Sequence, residues 1–137
     1  MKYTYLVMFI FISALKGGIV PSPDFCPVIN IDEFNHYAKQ KVTVKLPKKF
    51  KIGKNDINIA LSNPNFPSGY MVTAYLDLLE FNAKEPEIED GYPRSTIEIF
   101  EKGKYTVELK INLIYKGSWG GIKVASLARQ TISFQIK

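Results

Sequence analysis

The segment KYTVELKINLIYK, residues 104–116, constrains the fold more than any other part of the chain. Apolar or aromatic residues occupy every second position from Tyr105 to Leu113, and the positions between them carry Thr, Glu, Lys or Asn. Successive side chains of a strand point to opposite faces, so this alternation predicts a long strand with one buried face. In a helix, whose period is 3.6 residues, the same apolar residues would not gather on one face.

Shorter segments repeat this alternation along the chain. They are KVTVKL (41–46), DINIAL (56–61), YMVTAYLDLLEF (70–81), STIEIF (95–100) and GIKVASLARQTISFQIK (121–137). In the last of them we expect a bulge or bend between Ala125 and Gln130. Prolines and glycines separate the segments, as is typical of turns. Only IDEFNHYAKQ (31–40) favours a short helix, for which Asp32 is the expected cap.

About seven strands joined by short turns predict an all-β antiparallel sandwich. A parallel α/β sheet would need helices of about 10–15 residues between its strands, and the sequence offers none. The length of 137 residues suits one domain with its own core. We therefore predict a signal peptide at residues 1–17, an N-terminal extension with the short helix at 18–40, and the sandwich domain at 41–137.

The N-terminus MKYTYLVMFIFISALKGG has the layout of a secretory signal peptide. Lys2 precedes an apolar run from Leu6 to Ile12, and small residues follow. The run is shorter than the ~20 apolar residues that span a bilayer, so the pattern predicts secretion, to the extracellular space or the endolysosomal lumen. The chain has one cysteine, Cys26, so no internal disulfide can stabilise the domain.

Candidate catalytic groups are sparse. His36 is the only histidine, and triads and zinc sites need partners that the sequence does not supply. The acidic segment KEPEIED (84–90) lacks calcium-loop spacing and is interpreted as a solvated loop. The basic segment KKFKIGK (48–54) could attract anionic headgroups but is interpreted as a turn. We predict a non-enzyme without cofactor or metal, and without a nucleic-acid partner.

The two faces of each strand suggest a binding mode. Closely packed sheets would use their inner side chains as core, whereas splayed sheets would enclose a cavity suited to an acyl chain. Candidate cavity residues are Leu76, Val107, Leu109, Ile111, Ile122 and Val124. Aromatic residues in or beside turns are candidates for a rim that meets a membrane or a ligand: Phe66, Tyr70, Tyr92 and Trp119. Trp119 is expected either to anchor at an interface or to plug the core.

The segment GKYTVELKINLIYKGSWGGIKVASLA (103–128) resembles the last hairpin of ganglioside activator proteins and the wider ML lipid-recognition superfamily. The shared features are a Gly-x-Tyr that opens a long strand, a short turn, and a final strand that begins Ile-x-Val. The resemblance implies an antiparallel sandwich, immunoglobulin-like or ML-like, that opens onto an apolar cup. It also implies a non-catalytic activity in which a lipid is lifted, shielded or presented to a partner.

A second resemblance points to a different function. SNPNFPSGY (62–70), followed by YKGSW (115–119), is similar in order to two loops of the chagasin-like cysteine-protease inhibitors. In that family an Asn-Pro…Gly-Tyr loop and a Tyr-Arg-Pro-Trp loop wedge into the protease cleft, and here Lys-Gly-Ser replaces the Arg-Pro step.

The sequence thus predicts a secreted carrier of a lipid or another apolar molecule, with transient membrane contact. A protease inhibitor, or an interaction sandwich with a protein partner and no small ligand, stays open as an alternative.

Overall fold

The computed structural model describes residues 30–117 and 121–137. The predicted signal peptide at 1–17, Cys26 and Trp119 lie outside the described residues. Within them, one helix and seven strands follow each other along the chain. They are α1 (Ile31–Ala38), β1 (Val42–Lys45), β2 (Gly53–Leu61), β3 (Tyr70–Phe81), β4 (Glu87–Glu89), β5 (Arg94–Ile99), β6 (Gly103–Lys116) and β7 (Ile122–Ile136).

The strands form two antiparallel sheets. One has the order β1-β2-β5-β4 and the other the order β3-β6-β7. Immunoglobulin constant-type sandwiches also place the first, second, fourth and fifth strands in one sheet and the third, sixth and seventh in the other. The predicted all-β antiparallel sandwich of about seven strands is confirmed.

The core lies between the sheets and consists of the residues that alternate inward. Ile57 and Ile97 of the first sheet pack in one cluster with Leu76, Val107 and Leu109 of the second. Each β6 residue at an odd position from Tyr105 to Leu113 is buried, as the alternation predicts. The edge strands of the first sheet, β1 and β4, have only four and three residues, and short edges limit pairing with other chains.

Strand β7 contains the expected irregularity, and it reverses one predicted face. Ile111 pairs with Ala128, but Asn112 pairs with Ser126, so one residue of β7 is extra. The bulge shifts the alternation of the preceding residues. Ile122 and Val124 are therefore 48% and 38% exposed, and their predicted position in the interior is wrong.

The side chains that face inward before the bulge are Lys123 and Ala125, which are 1% and 2% exposed. Simple alternation along β7 does not predict these inward positions. Ile122 and Ile132 are both even-numbered, so an uninterrupted strand would place them on the same face. One inserted residue separates them into opposite faces.

Two short elements also differ from expectation. The acidic segment interpreted as a loop contains strand β4, which pairs with the outer edge of β5. The helix is capped by Asn30, two residues before the expected cap, because the side chain of Asn30 accepts a hydrogen bond from the backbone N–H of Glu33 at 2.9 Å. Asp32 lies in the first turn instead, where a carboxylate interacts favourably with the helix dipole.

The antiparallel arrangement sorts the connections to two ends of the sandwich. The β2–β3 loop (62–69) and the described ends of the β6–β7 connection, Gly117 and Gly121, lie at one end together with α1; we call this the loop end. The β1–β2, β3–β4 and β5–β6 connections and the C-terminus lie at the opposite end.

Candidate interaction site at the loop end

The two loops with the second family resemblance are joined by their backbones. The N–H of Lys116 donates to the carbonyl of Gly69 at 2.9 Å, and the N–H of Gly117 donates to the carbonyl of Gly121 at 2.8 Å. Gly69 has φ +95°, a backbone conformation that glycine adopts readily. Strands β3 and β6 are neighbours, so the end of the β2–β3 loop lies beside the described start of the β6–β7 connection.

An aromatic cluster supports this edge from beneath. Phe66 stacks on Tyr70 with ring centroids 5.9 Å apart, and Tyr70 lies 4.7 Å from Tyr115 of β6. Tyr37 of the helix contacts Phe66 and Tyr70 at 5.5 and 5.3 Å. Aromatic pairs at these separations add stability beyond their buried area. The cluster therefore ties the helix, the β2–β3 loop and β6 together.

The residue Gln40, which follows the helix, fixes the start of the β2–β3 loop. Its side-chain oxygen accepts from the N–H of Asn63 at 2.8 Å, and its Nε2 donates to the carbonyl of Asn63 at 2.9 Å. The same Nε2 donates to the carbonyl of Tyr37 at 2.8 Å. The sequence does not predict this role of Gln40. Its side-chain amide binds the backbone of a residue 23 positions away, and such a contact leaves no local pattern.

Burial and one carboxylate shape the electrostatics of the cluster. Burial, and then the negative charge of Glu33, raises the pKa of Tyr70 far above its usual value. The hydroxyl of Tyr70 donates to Oε1 of Glu33 at 3.4 Å. Lys123 lies beneath the cluster with its Nζ 5.2 Å from the centroid of the Phe34 ring, and burial lowers the pKa of Lys123.

The structure describes three of the four predicted rim residues, and it does not bring these three together. Phe66 and Tyr70 lie together in the aromatic cluster, but they are only partly exposed and act as its supports. Tyr92 packs against the main core, and burial raises the pKa of Tyr92. Trp119 lies outside the described residues, between Gly117 and Gly121. The exposed positions of the β2–β3 loop are Ser62, Pro64, Asn65, Pro67, Ser68 and Gly69.

The predicted cavity residues of β3 and β6 form the closed core. Val107, Leu109 and Ile111 are 1% exposed or less, and Leu76 is 5% exposed. A cavity wide enough for a hydrocarbon tail would leave accessible area on the side chains that line it. These residues have almost none, so they pack against the opposite sheet instead of lining a space.

Among residues 30–117 and 121–137, no group of three His, Cys, Asp or Glu side chains is arranged to hold a metal ion. The single described helix is too short to cross a membrane. Comparison of the chain with family models, curated proteins and solved structures finds no match.

Proposed function

We propose that the protein is a secreted, non-enzymatic inhibitor that inserts its loop end into the cleft of a papain-type cysteine protease. The observation that carries the proposal is the hydrogen bond between Lys116 and Gly69. It joins the two segments that resemble the inhibitory loops of the chagasin-like family. Lys116 and Gly69, which are 47 positions apart in the chain, thereby lie side by side.

The way the β2–β3 loop is held also supports the proposal. Gln40 fixes its first residues, the aromatic cluster supports Phe66, and the backbone of Gly69 fixes its end. Pro64 and Pro67 restrict φ within the loop. A loop that already has its bound conformation loses less conformational entropy on association, and affinity rises accordingly.

A lipid carrier with its ligand between the sheets is supported less well. Its predicted lining residues Val107, Leu109 and Ile111 are enclosed by the core, and two others, Ile122 and Val124, point away from it. The inhibitor needs no internal cavity, since its contacts are made by loops outside the core. The closed core and the paired loops therefore support the inhibitor better than the lipid carrier.

The test is an inhibition assay with papain-type proteases and a fluorogenic peptide substrate. We expect inhibition at micromolar protein or below, with a raised apparent KM and an unchanged kcat because the loops compete with substrate. Trp119→Ala is expected to weaken inhibition by about 30-fold, since a central interface tryptophan commonly contributes about 2 kcal/mol. Asn65→Ala at the tip of the other loop should weaken inhibition as well.

Phe100→Ala is the matched control, because Phe100 is an exposed aromatic residue at the opposite end. It is expected to leave the inhibition constant unchanged. No inhibition of any papain-type protease at ten micromolar protein, or an equal effect of Trp119→Ala and Phe100→Ala, would overturn the proposal.

A further inference from the structure

The end of the sandwich opposite the loop end combines four chain segments. Gly53 pairs with Ile99, and Gly103 pairs with Ile136, so the starts of β2 and β6 meet the ends of β5 and β7. Strand β3 ends at the same level, where Phe81 pairs with Tyr105. We define the basic end as residues 46–54, 80–86, 100–104 and 135–137.

The basic end accounts for all of the net positive charge of the described residues. It contains eight lysines and three glutamates, a formal net charge of +5. The remaining described residues contain eight basic and nine acidic side chains, a net charge of −1. Four of the eight lysines lie in residues 48–54, and the other four are Lys84, Lys102, Lys104 and Lys137. All eight are exposed.

Large apolar side chains are exposed among these lysines. Ile52, Phe81 and Phe100 are 46%, 45% and 37% exposed; Ile52 and Phe100 lie on connections, and Phe81 is the last residue of β3. Leu79, beside Phe81, is 51% exposed. Apolar side chains that project from loops within a basic surface are typical of proteins that rest on the membrane interface.

A cleft opens beside these residues. It has a volume of about 760 Å³, and its lining is mixed: Leu79, Phe81, Tyr105 and Phe134 alternate with polar residues that include Glu80, Thr106 and Ser133. Lys104 lies at the same cleft. The apolar side chains of this cleft add to the exposed apolar surface of the basic end.

The loops of the basic end are held in place. The buried side chain of Asn55 accepts from the N–H of Lys51 at 2.9 Å and donates to the carbonyls of Lys51 and Gly53. Phe50 stacks on Phe134 with centroids 3.9 Å apart. The surface is thus formed before a partner arrives, and little ordering is needed on binding.

The β5–β6 connection is likewise held against the β3–β4 connection. The carboxylate of Glu101 accepts from the backbone N–H of Lys84 at 2.9 Å. The Nζ of Lys84 lies 4.8 Å from the centroid of the Phe100 ring. These contacts hold the β3–β4 and β5–β6 connections against each other, with Phe100 still exposed.

We propose that the basic end docks the protein on a lipid bilayer that contains anionic lipids. The lysines interact with the headgroups, while Ile52, Phe81 and Phe100 enter the interfacial region. All eight cations are lysines, whose compact point charges suit a diffuse anionic surface, whereas specific phosphate and nucleic-acid recognition favours arginine. This inference is independent of the proposed inhibitory function, because the two sites lie at opposite ends.

The test is flotation of the full chain with vesicles of phosphatidylcholine alone or with one third phosphatidylserine. Binding is expected only to the vesicles that contain phosphatidylserine, and it should decrease as salt is raised. The triple variant K48E/K49E/K51E is expected to weaken binding by about 100-fold or more, since each lysine near such a surface contributes severalfold. F81S/F100S should weaken the binding that persists at high salt.

The matched control is K39E/K41E/K116E, which makes the same change in net charge with exposed lysines outside the basic end. It should retain binding, and the melting temperature of each variant verifies its fold. Absence of binding to the anionic vesicles at low salt would refute the proposal. Equal losses in both triple variants would refute it too, as would binding to heparin beads without binding to vesicles.

Discussion

Gly69 and Tyr115 approach so closely that a side chain at position 69 would collide with the tyrosine ring. A Cβ built on Gly69 would lie 2.8 Å from Cε1 of Tyr115 and 3.1 Å from the carbonyl oxygen of Lys116. The neighbouring loops at the loop end thus depend on a residue without a side chain.

Gly69→Ala is therefore expected to be strongly destabilising. The positive φ costs about 1–3 kcal/mol for alanine, and displacement of the ring adds about 1–3 kcal/mol. Gly53→Ala is the control, because Gly53 has φ +106° but open space around an added Cβ. Urea unfolding should give the larger loss for Gly69→Ala, and equal losses would mean that the contact with Tyr115 is unimportant.

Removal of the amide at position 40 should release the start of the β2–β3 loop. Gln40→Ala leaves both backbone groups of Asn63 without this partner, at a cost of about 1–3 kcal/mol. Hydrogen exchange should detect faster exchange of the Asn63 amide. Gln135→Ala, an exposed glutamine at the basic end, should change stability by less than about 0.5 kcal/mol. Unchanged exchange in Gln40→Ala would contradict the assigned role.

Tyr70 should make the stability fall at alkaline pH. Its pKa is higher in the folded protein than in the unfolded chain, where it is about 10. The unfolded state therefore loses its proton first, and the stability present below pH 10 decreases as pH rises above that value. Urea unfolding across this range should show a shallower decrease for Tyr70→Phe than for the wild type.

Tyr75→Phe is the control for the alkaline experiment, since Tyr75 is an exposed tyrosine on β3. It should preserve the wild-type pH dependence. At neutral pH, Tyr70→Phe is expected to cost no more than about 1 kcal/mol, because it removes one long hydrogen bond to Glu33. The same slope for Tyr70→Phe and the wild type would contradict the assignment of the raised pKa.

The bulge in β7 predicts opposite effects of the same substitution at adjacent positions. Ala125→Lys places a second cation beside Lys123 in the interior and should cost about 3 kcal/mol or more. Val124→Lys places its cation in solvent and should cost about 1 kcal/mol or less. Thermal or urea unfolding compares them directly, and the reverse order would restore the face predicted by simple alternation.

Regular alternation made most of the fold predictable from the sequence. The inward faces of β2 and β6 follow it without interruption, so Ile57, Ile59 and Val107 are buried as expected. Strand β4 was missed because three residues are too few to show a period. The inward position of Lys123 was missed because it depends on the exact place of one extra residue.

The candidate sites were less predictable, since they depend on contacts between distant segments. Phe66 and Tyr70 were identified from their turns, but the helix that packs on them was not expected to reach the β2–β3 loop. At the opposite end, the sequence shows one dense basic segment, residues 48–54. Only the topology brings Lys84, Lys102 and Lys104 beside it.

The length of β6 has a consequence for how the two proposed sites work together. This strand has 14 residues and runs from Gly103 at one end to Lys116 at the other, about 45 Å at the rise of an extended chain. If the basic end is bound to a bilayer, the loop end lies at the far end of β6. Pro64 and Asn65 of the β2–β3 loop then face the aqueous phase. A protease could then be captured without displacing the basic end from the bilayer, and its local concentration at that surface would rise.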